Sequence, residues 1–191
     1  MEFIVEDFKL QPLQNGEYIK PAFATFKLNN QPRNWEVVDT KDSVAILLYN
    51  KDNDSFVCVR QFRPAVYASD KDSSGVTVEL CAGLVDKNLT LEQIASEEII
   101  EETGYSVDAS LLTKITSFYT AVGSSGAKQH LYFAEVSNEC KVSSGGGVEG
   151  EEMIDVVEIC LKDAKEFMYN EDIAKTPGLL FAFEWFINKH S

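Results

Sequence analysis

A chain of 191 residues with 45% hydrophobic content is long enough to bury one substantial core. Its 31 acidic and 17 basic residues leave a formal net charge of -14, which argues against nucleic-acid phosphates or anionic membranes as general partners. An anionic ligand must be met by local Arg or Lys, or by a metal ion.

The start of the chain, Met1-Glu2-Phe3-Ile4-Val5-Glu6-Asp7, lacks the basic and apolar regions of a signal peptide. The apolar stretch 179–187 is too short to span a bilayer and contains Glu184. Cys58, Cys81, Cys140 and Cys160 are far apart, without the spacing of a zinc or redox site. A reduced, cytoplasmic protein is expected.

Residues 1–40 alternate apolar and polar residues in short runs, 18–20 and 22–27, broken by Asn15-Gly16 and Asn29-Asn30. This pattern predicts small antiparallel strands joined by turns. Such a sheet is too small to stand alone and must lean on the main domain, residues 41–191, or on a second subunit.

Runs 43–49 and 55–60 predict core strands around the turn 50–54. The second leads into Arg60-Gln61-Phe62-Arg63-Pro64, which sets two guanidinium groups at a sheet end. Arginine suits bidentate phosphate binding. Surface ion pairing is the competing reading, above all for Arg60. A polar loop at 69–75 precedes a strand at 76–81.

Residues 79–105 organise the rest. Thr90 and Gln93 form a capping box, and Leu89 and Ile94 sit where a hydrophobic staple would, so a helix begins near Leu91. Gly104 marks its end. Leu91, Ile94, Ala95 and Ile99 give one apolar face, while Glu97, Glu98, Glu101 and Glu102 occupy the other. Like charges three and four residues apart repel, and the negative end of the helix dipole disfavours them further. No Lys or Arg lies between Asn88 and Thr113 to relieve this, so positive charge must come from outside the segment. A hard divalent cation held by carboxylate oxygens is the economical source. A solvated acidic face is the plainer reading, but it does not explain carboxylates gathered against the dipole.

After a predicted strand at 115–119, the loop 120–128 is rich in small residues, so amides such as those of Gly123 and Ser124 can face a phosphate or sugar. It lacks the ending of a P-loop. A strand at 130–136 opens on His130, read as structural. Residues 137–152 read as a mobile solvated loop ending in Glu149, Glu151 and Glu152. A strand at 154–160 and helices at 161–169 and 172–189 close the chain, with the aromatic stripe of the last helix assigned to the core.

The stretch from Gly83 to Tyr105 resembles the Nudix box, with Gly83, Glu98, Ile99, Glu101, Glu102, Gly104 and Tyr105 in register. Leu89 stands in place of the family's first glutamate, and Glu97 in place of its arginine. The family arginine orients a neighbouring glutamate, which a carboxylate cannot do as a donor. Arg60-Gln61-Phe62-Arg63, residues 75–86, 145–148 and Lys175-Thr176 extend the resemblance towards the sugar-nucleotide hydrolases of that family.

The resemblance implies an α+β fold: an α/β/α sandwich with a mixed central sheet, beside the small N-terminal antiparallel sheet. It implies Mg²⁺-dependent cleavage of a nucleotide sugar, UDP-glucose to UMP and glucose 1-phosphate, with ADP-ribose as a second substrate. Glu98, Glu102, Glu101 and the carbonyl of Ala82 would hold metal, Glu151 or Glu149 would act as base with Glu101 assisting, and Arg63 and Arg60 would hold the diphosphate. Trp35 is a stacking candidate, and residues 1–40 are expected to form a homodimer. A degenerate box that binds a nucleotide sugar without hydrolysing it, and an acidic calcium-binding scaffold, are the competing classes.

Overall fold

The computed structural model describes residues 2–70, 72–148 and 153–190. Strands β1 (Ile19–Leu28) and β2 (Gln31–Thr40) form an antiparallel hairpin of their own. Asn29 and Asn30 both have positive φ, 50° and 61°, as the tightest hairpin turns require. The expected N-terminal sheet is therefore one long ribbon. Its apolar residues Phe23, Phe26, Leu28 and Trp35 remain exposed.

The main sheet contains β3 (Ser43–Asn50), β4 (Ser55–Phe62), β5 (Val76–Glu79), β6 (Cys81–Leu84), β7 (Thr113–Tyr119), β8 (Lys128–Val136), β9 (Ile154–Cys160) and β10 (Ala174–Lys175). Helices are α1 (Pro64–Ser69), α2 (Leu91–Glu98), α3 (Ala164–Tyr169) and α4 (Pro177–His190). The strand order β10-β5-β4-β3-β8-β7 is mixed: β3–β8 and β10–β5 are parallel, and the other pairs on this path are antiparallel.

Strict alternation along β3 assigns one set of residues to each face. Val44, Ile46 and Leu48 pack with Ile94, Ala95 and Ile99 around α2, while Ala45 and Leu47 pack with Leu179, Ala182, Phe183 and Phe186 of α4. The two cores on opposite faces of the sheet make the α/β/α sandwich. The aromatic stripe is core, as expected, with Phe56 stacked on Phe183 at 4.1 Å between centroids.

Helix α4 starts at Pro177 rather than near Asp172, because the preceding residues Ala174 and Lys175 pair with β5. Helix α1 was not expected from sequence; Pro64 opens it, consistent with proline's preference for the first turn. The strand predicted at 76–81 is divided at Leu80, with β5 joined to β4 and β6 joined to β3. Strands β3 and β4 pair only from Leu48 to Asn50, near their shared turn, and diverge beyond it. The chain crosses this opening at Leu80.

The segment 142–147 is not the freely solvated loop that its composition suggests. Val142 and Ser143 donate backbone hydrogen bonds to the Gly104 carbonyl, Gly146 to Glu102 and Gly147 to Glu101. These donors satisfy carbonyls that a helix C-terminus leaves open. The packing needs glycines: a Cβ on Gly104, whose φ is +76°, would lie 2.2 Å from the Ser143 carbonyl oxygen. Gly104→Ala is therefore expected to destabilise the fold by about 1–3 kcal/mol. A thermal melt superimposable on that of the wild type would rule out this docking.

Candidate active site

The capping box at the start of α2 is formed as predicted, with Thr90 accepting from the Gln93 amide and Gln93 accepting from the Thr90 amide. Ile94 is fully buried, whereas Leu89 stays 39% exposed. From Ile99 to Thr103 the helix widens into a π-helical turn before Gly104 ends it. Such turns take more residues per revolution, so Glu101 and Glu102 are rotated relative to their positions on a continuous α-helix.

Glu102 is 3% exposed, and its carboxylate accepts a 2.9 Å hydrogen bond from the Ala82 amide. It is therefore not part of a solvated face. Glu98 lies against Gly83, where a Cβ would fall 2.1 Å from the Glu98 carboxyl carbon. Here a missing side chain leaves room for a carboxylate. Burial pushes the Cys81 thiol well up, and Glu102 beside it adds to the rise.

Arg63 makes a forked pair with Glu79, at 2.6 Å from Nε to Oε1 and 2.8 Å from Nη2 to Oε2. The Thr77 hydroxyl donates to the same carboxylate at 2.6 Å. Burial pushes the Glu79 carboxyl up, but the hydrogen bond and charge of Arg63 together with the Thr77 bond outweigh it, leaving the group below its ordinary value. Arg60 instead pairs with Asp155 at 3.6 Å and is not among the residues lining the carboxylate cavity.

One cavity of about 560 Å³ brings together Arg63, Glu79, Ala82, Gly83, Glu98, Glu101 and Glu102. Tyr18, Gln61, Lys87 and Gln129 also line it, none of which was singled out from sequence. Lys87 and Glu97 pair at 2.7 Å, and this hydrogen bond raises the Lys87 ammonium above its usual range. A fixed ammonium, one residue outside the stretch without basic residues, thus relieves part of the crowding that sequence reasoning left to a metal.

Trp35, Gly123 and Ser124 form a separate group. The Trp35 indole donates to the Gly123 carbonyl at 2.7 Å, and the Val38 amide to the Ser124 carbonyl at 2.8 Å. All three residues line a cavity of about 830 Å³ beneath the ribbon, which shares no lining residue with the carboxylate cavity. Within a single chain these residues therefore line a different cavity from Arg63 and the glutamates, with the ribbon tied to the 123–125 loop. Glu149 and Glu151 lie outside the described residues. His130 contacts Ser117 at 2.9 Å and Asp42 at 3.5 Å, in keeping with a structural role.

Among the described residues, no three ligating side chains gather closely enough to enclose a cation by themselves. The donor set nonetheless suits a hard ion: carboxylate oxygens from Glu98 and Glu102, set against a backbone that approaches closely at Gly83. Mg²⁺ keeps several waters, so few protein ligands are needed.

Gly83→Ala is expected to displace the Glu98 carboxylate while leaving the melting temperature nearly unchanged, because the clash is with a flexible side-chain end. Mn²⁺ binding weakened at unaltered stability is the expected result. For Glu79, a depressed folded pKa confers stability above the ordinary value of 4.5, lost as pH falls through the folded value. Glu79→Gln should therefore be less stable than the wild type at neutral pH, and melts in acid should show the gap closing.

The NUDIX domain model matches residues 39–176. The chain is 36% identical to uridine diphosphate glucose pyrophosphatase NUDT14 of Bos taurus, over 90% of this chain and 89% of that protein. It is 34% identical to the Mus musculus protein of the same name, over 92% and 90% of the two chains. GDP-mannose pyrophosphatase of Cronobacter sakazakii is 40% identical over 69% of this chain and 66% of its own. Domain match, near full-length relatives and the in-register box agree: this chain belongs to the Nudix hydrolase family.

Proposed function

We propose that this enzyme hydrolyses the diphosphate of nucleotide sugars, converting UDP-glucose to UMP and glucose 1-phosphate, with ADP-ribose as a second substrate. The observation that carries this reading is the single cleft in which Arg63 faces the same space as Glu98, Glu101 and Glu102. Relatives named for UDP-glucose and GDP-mannose pyrophosphatase activity support the substrate class.

In this reading Glu98 and Glu102, with the Ala82 carbonyl, hold Mg²⁺ or Mn²⁺, and Glu101 assists directly or through water. The ion, when bound, neutralises phosphoryl oxygens and lowers the pKa of water. Arg63, steadied by Glu79, neutralises the far phosphate. Glu151, or in its place Glu149, removes a proton from the attacking water as the bridging P–O bond breaks. What supports that assignment is that the preceding segment is tied to Glu101 and Glu102 through Gly147 and Gly146, and that Val148 lines the cleft. Trp35, Gly123 and Ser124, in the cavity under the ribbon, and Arg60, paired with Asp155, are the further substrate-binding candidates.

Residues 1–40, whose ribbon exposes Phe23, Phe26 and Leu28, form the dimerisation element, and 41–191 is the hydrolase domain. All four cysteines are free, which suits a reducing cytoplasm. Among the described residues no helix is long and apolar enough to cross a membrane.

Incubation with UDP-glucose and Mg²⁺ should release UMP, and Glu102→Gln should lower the rate on the order of a hundredfold or more. Binding of UDP-glucose without UMP release would favour a non-hydrolysing binding module instead. Sedimentation of the full chain should give a dimer, shifted towards monomer in the double variant Phe23→Asp, Leu28→Asp. A dimer unaffected by both substitutions would refute the role of the ribbon.

A further inference from the structure

The box position that carries arginine in the family is Glu97 here, which adds a negative charge to an already acidic helix end. The compensating cation comes from the other side of the turn. Lys87, in the segment between β6 and α2, reaches Glu97 at 2.7 Å and also lines the cavity of Glu98, Glu101 and Glu102. Where the family has arginine on the helix, this chain has the acid on the helix and its basic partner in the turn.

We propose that Lys87 and Glu97 are a charge-setting pair, whose opposed fields fix how strongly the adjacent carboxylates attract a divalent cation. This inference rests on the metal-site reading above. Both side chains are about two-fifths exposed, 41% and 44%, and an exposed pair of this kind adds little to fold stability. Its field at neighbouring charged groups is a different matter, because a divalent ion doubles every Coulomb interaction.

The charge argument makes a prediction that a purely geometric role does not. Removing Lys87 leaves Glu97 uncompensated and makes the cleft more negative. Removing Glu97 leaves Lys87 uncompensated beside Glu98 and Glu101. The two single variants must therefore shift cation affinity in opposite directions, and the double variant must return towards the wild type. If the pair merely clamps the turn against the helix, both single variants loosen the site and weaken binding.

The test is direct binding of Mn²⁺ alone, read by the electron paramagnetic resonance signal of the free ion, with no substrate and no turnover. Lys87→Met is expected to bind Mn²⁺ about three- to tenfold more tightly and Glu97→Gln more weakly by a similar factor, at low ionic strength. Lys87→Arg should match the wild type, and ~1 M potassium chloride should collapse the differences. Thermal melts should stay within a degree or two of the wild type throughout. Mn²⁺ binding by the wild type with single variants that are unshifted, or both weakened, overturns the charge-setting role alone. Failure of the wild type to bind Mn²⁺ overturns the metal site and this inference with it.

Discussion

The site depends on one close approach: the backbone at Ala82 and Gly83 lies against the carboxylate-bearing end of a helix. The Ala82 amide holds Glu102 while the bare Cα of Gly83 leaves room for Glu98. Both contacts act where the helix dipole opposes negative charge and where repulsion between neighbouring glutamates is worst. An amide donor and a gap for a side chain are modest devices. Each settles where one carboxylate lies against the backbone, the kind of preorganisation that a functional site needs.

The divergence of β3 and β4 creates the space that this approach fills. These strands pair only near their turn, and the break at Leu80 lets one segment serve both, as β5 on β4 and β6 on β3. Arg63 and Glu79 arrive from the β4 side, and Ala82 and Gly83 from the β3 side. Helix α2 and the π-helical turn that follows close the floor through Ile94, Ala95 and Ile99, whose burial sets the direction of the glutamates. On the far side, Gly145 packs so tightly on the helix end that a Cβ would fall 2.4 Å from the Glu102 carbonyl oxygen, and Gly146 and Gly147 donate to the carbonyls of Glu102 and Glu101. This glycine segment serves contact rather than motion.

Charge within the cleft is balanced by local pairs, in a protein of net charge -14. Arg63 is set by Glu79, and Lys87 by Glu97. Lys41 and Asp86 approach to 3.5 Å, with Asp86 at the same cavity. Each of these basic groups is thus already oriented by an acid. For Arg63 the fork geometry leaves the guanidinium plane with little freedom.

Local rules were enough to place the cap at Thr90, the stop at Gly104, the apolar face of α2, the strands β3, β4 and β9, and the box from Gly83 to Tyr105. Each is written within a few residues as a periodicity, a capping pair or a glycine. Tertiary packing decided the rest. Nothing local marks Glu102 as buried, Glu79 as the partner of Arg63 across a strand pair, Lys87 as the cation of the helix, or the glycine run as a docked segment. Trp35, Gly123 and Ser124 are united by hydrogen bonds between elements 88 residues apart, and drawn away from the glutamates by the same bonds. Sequence shows which chemistry a residue can offer. Only the chain's path through space fixes its partners, because those contacts arise from the divergence and crossing of strands that no single stretch encodes.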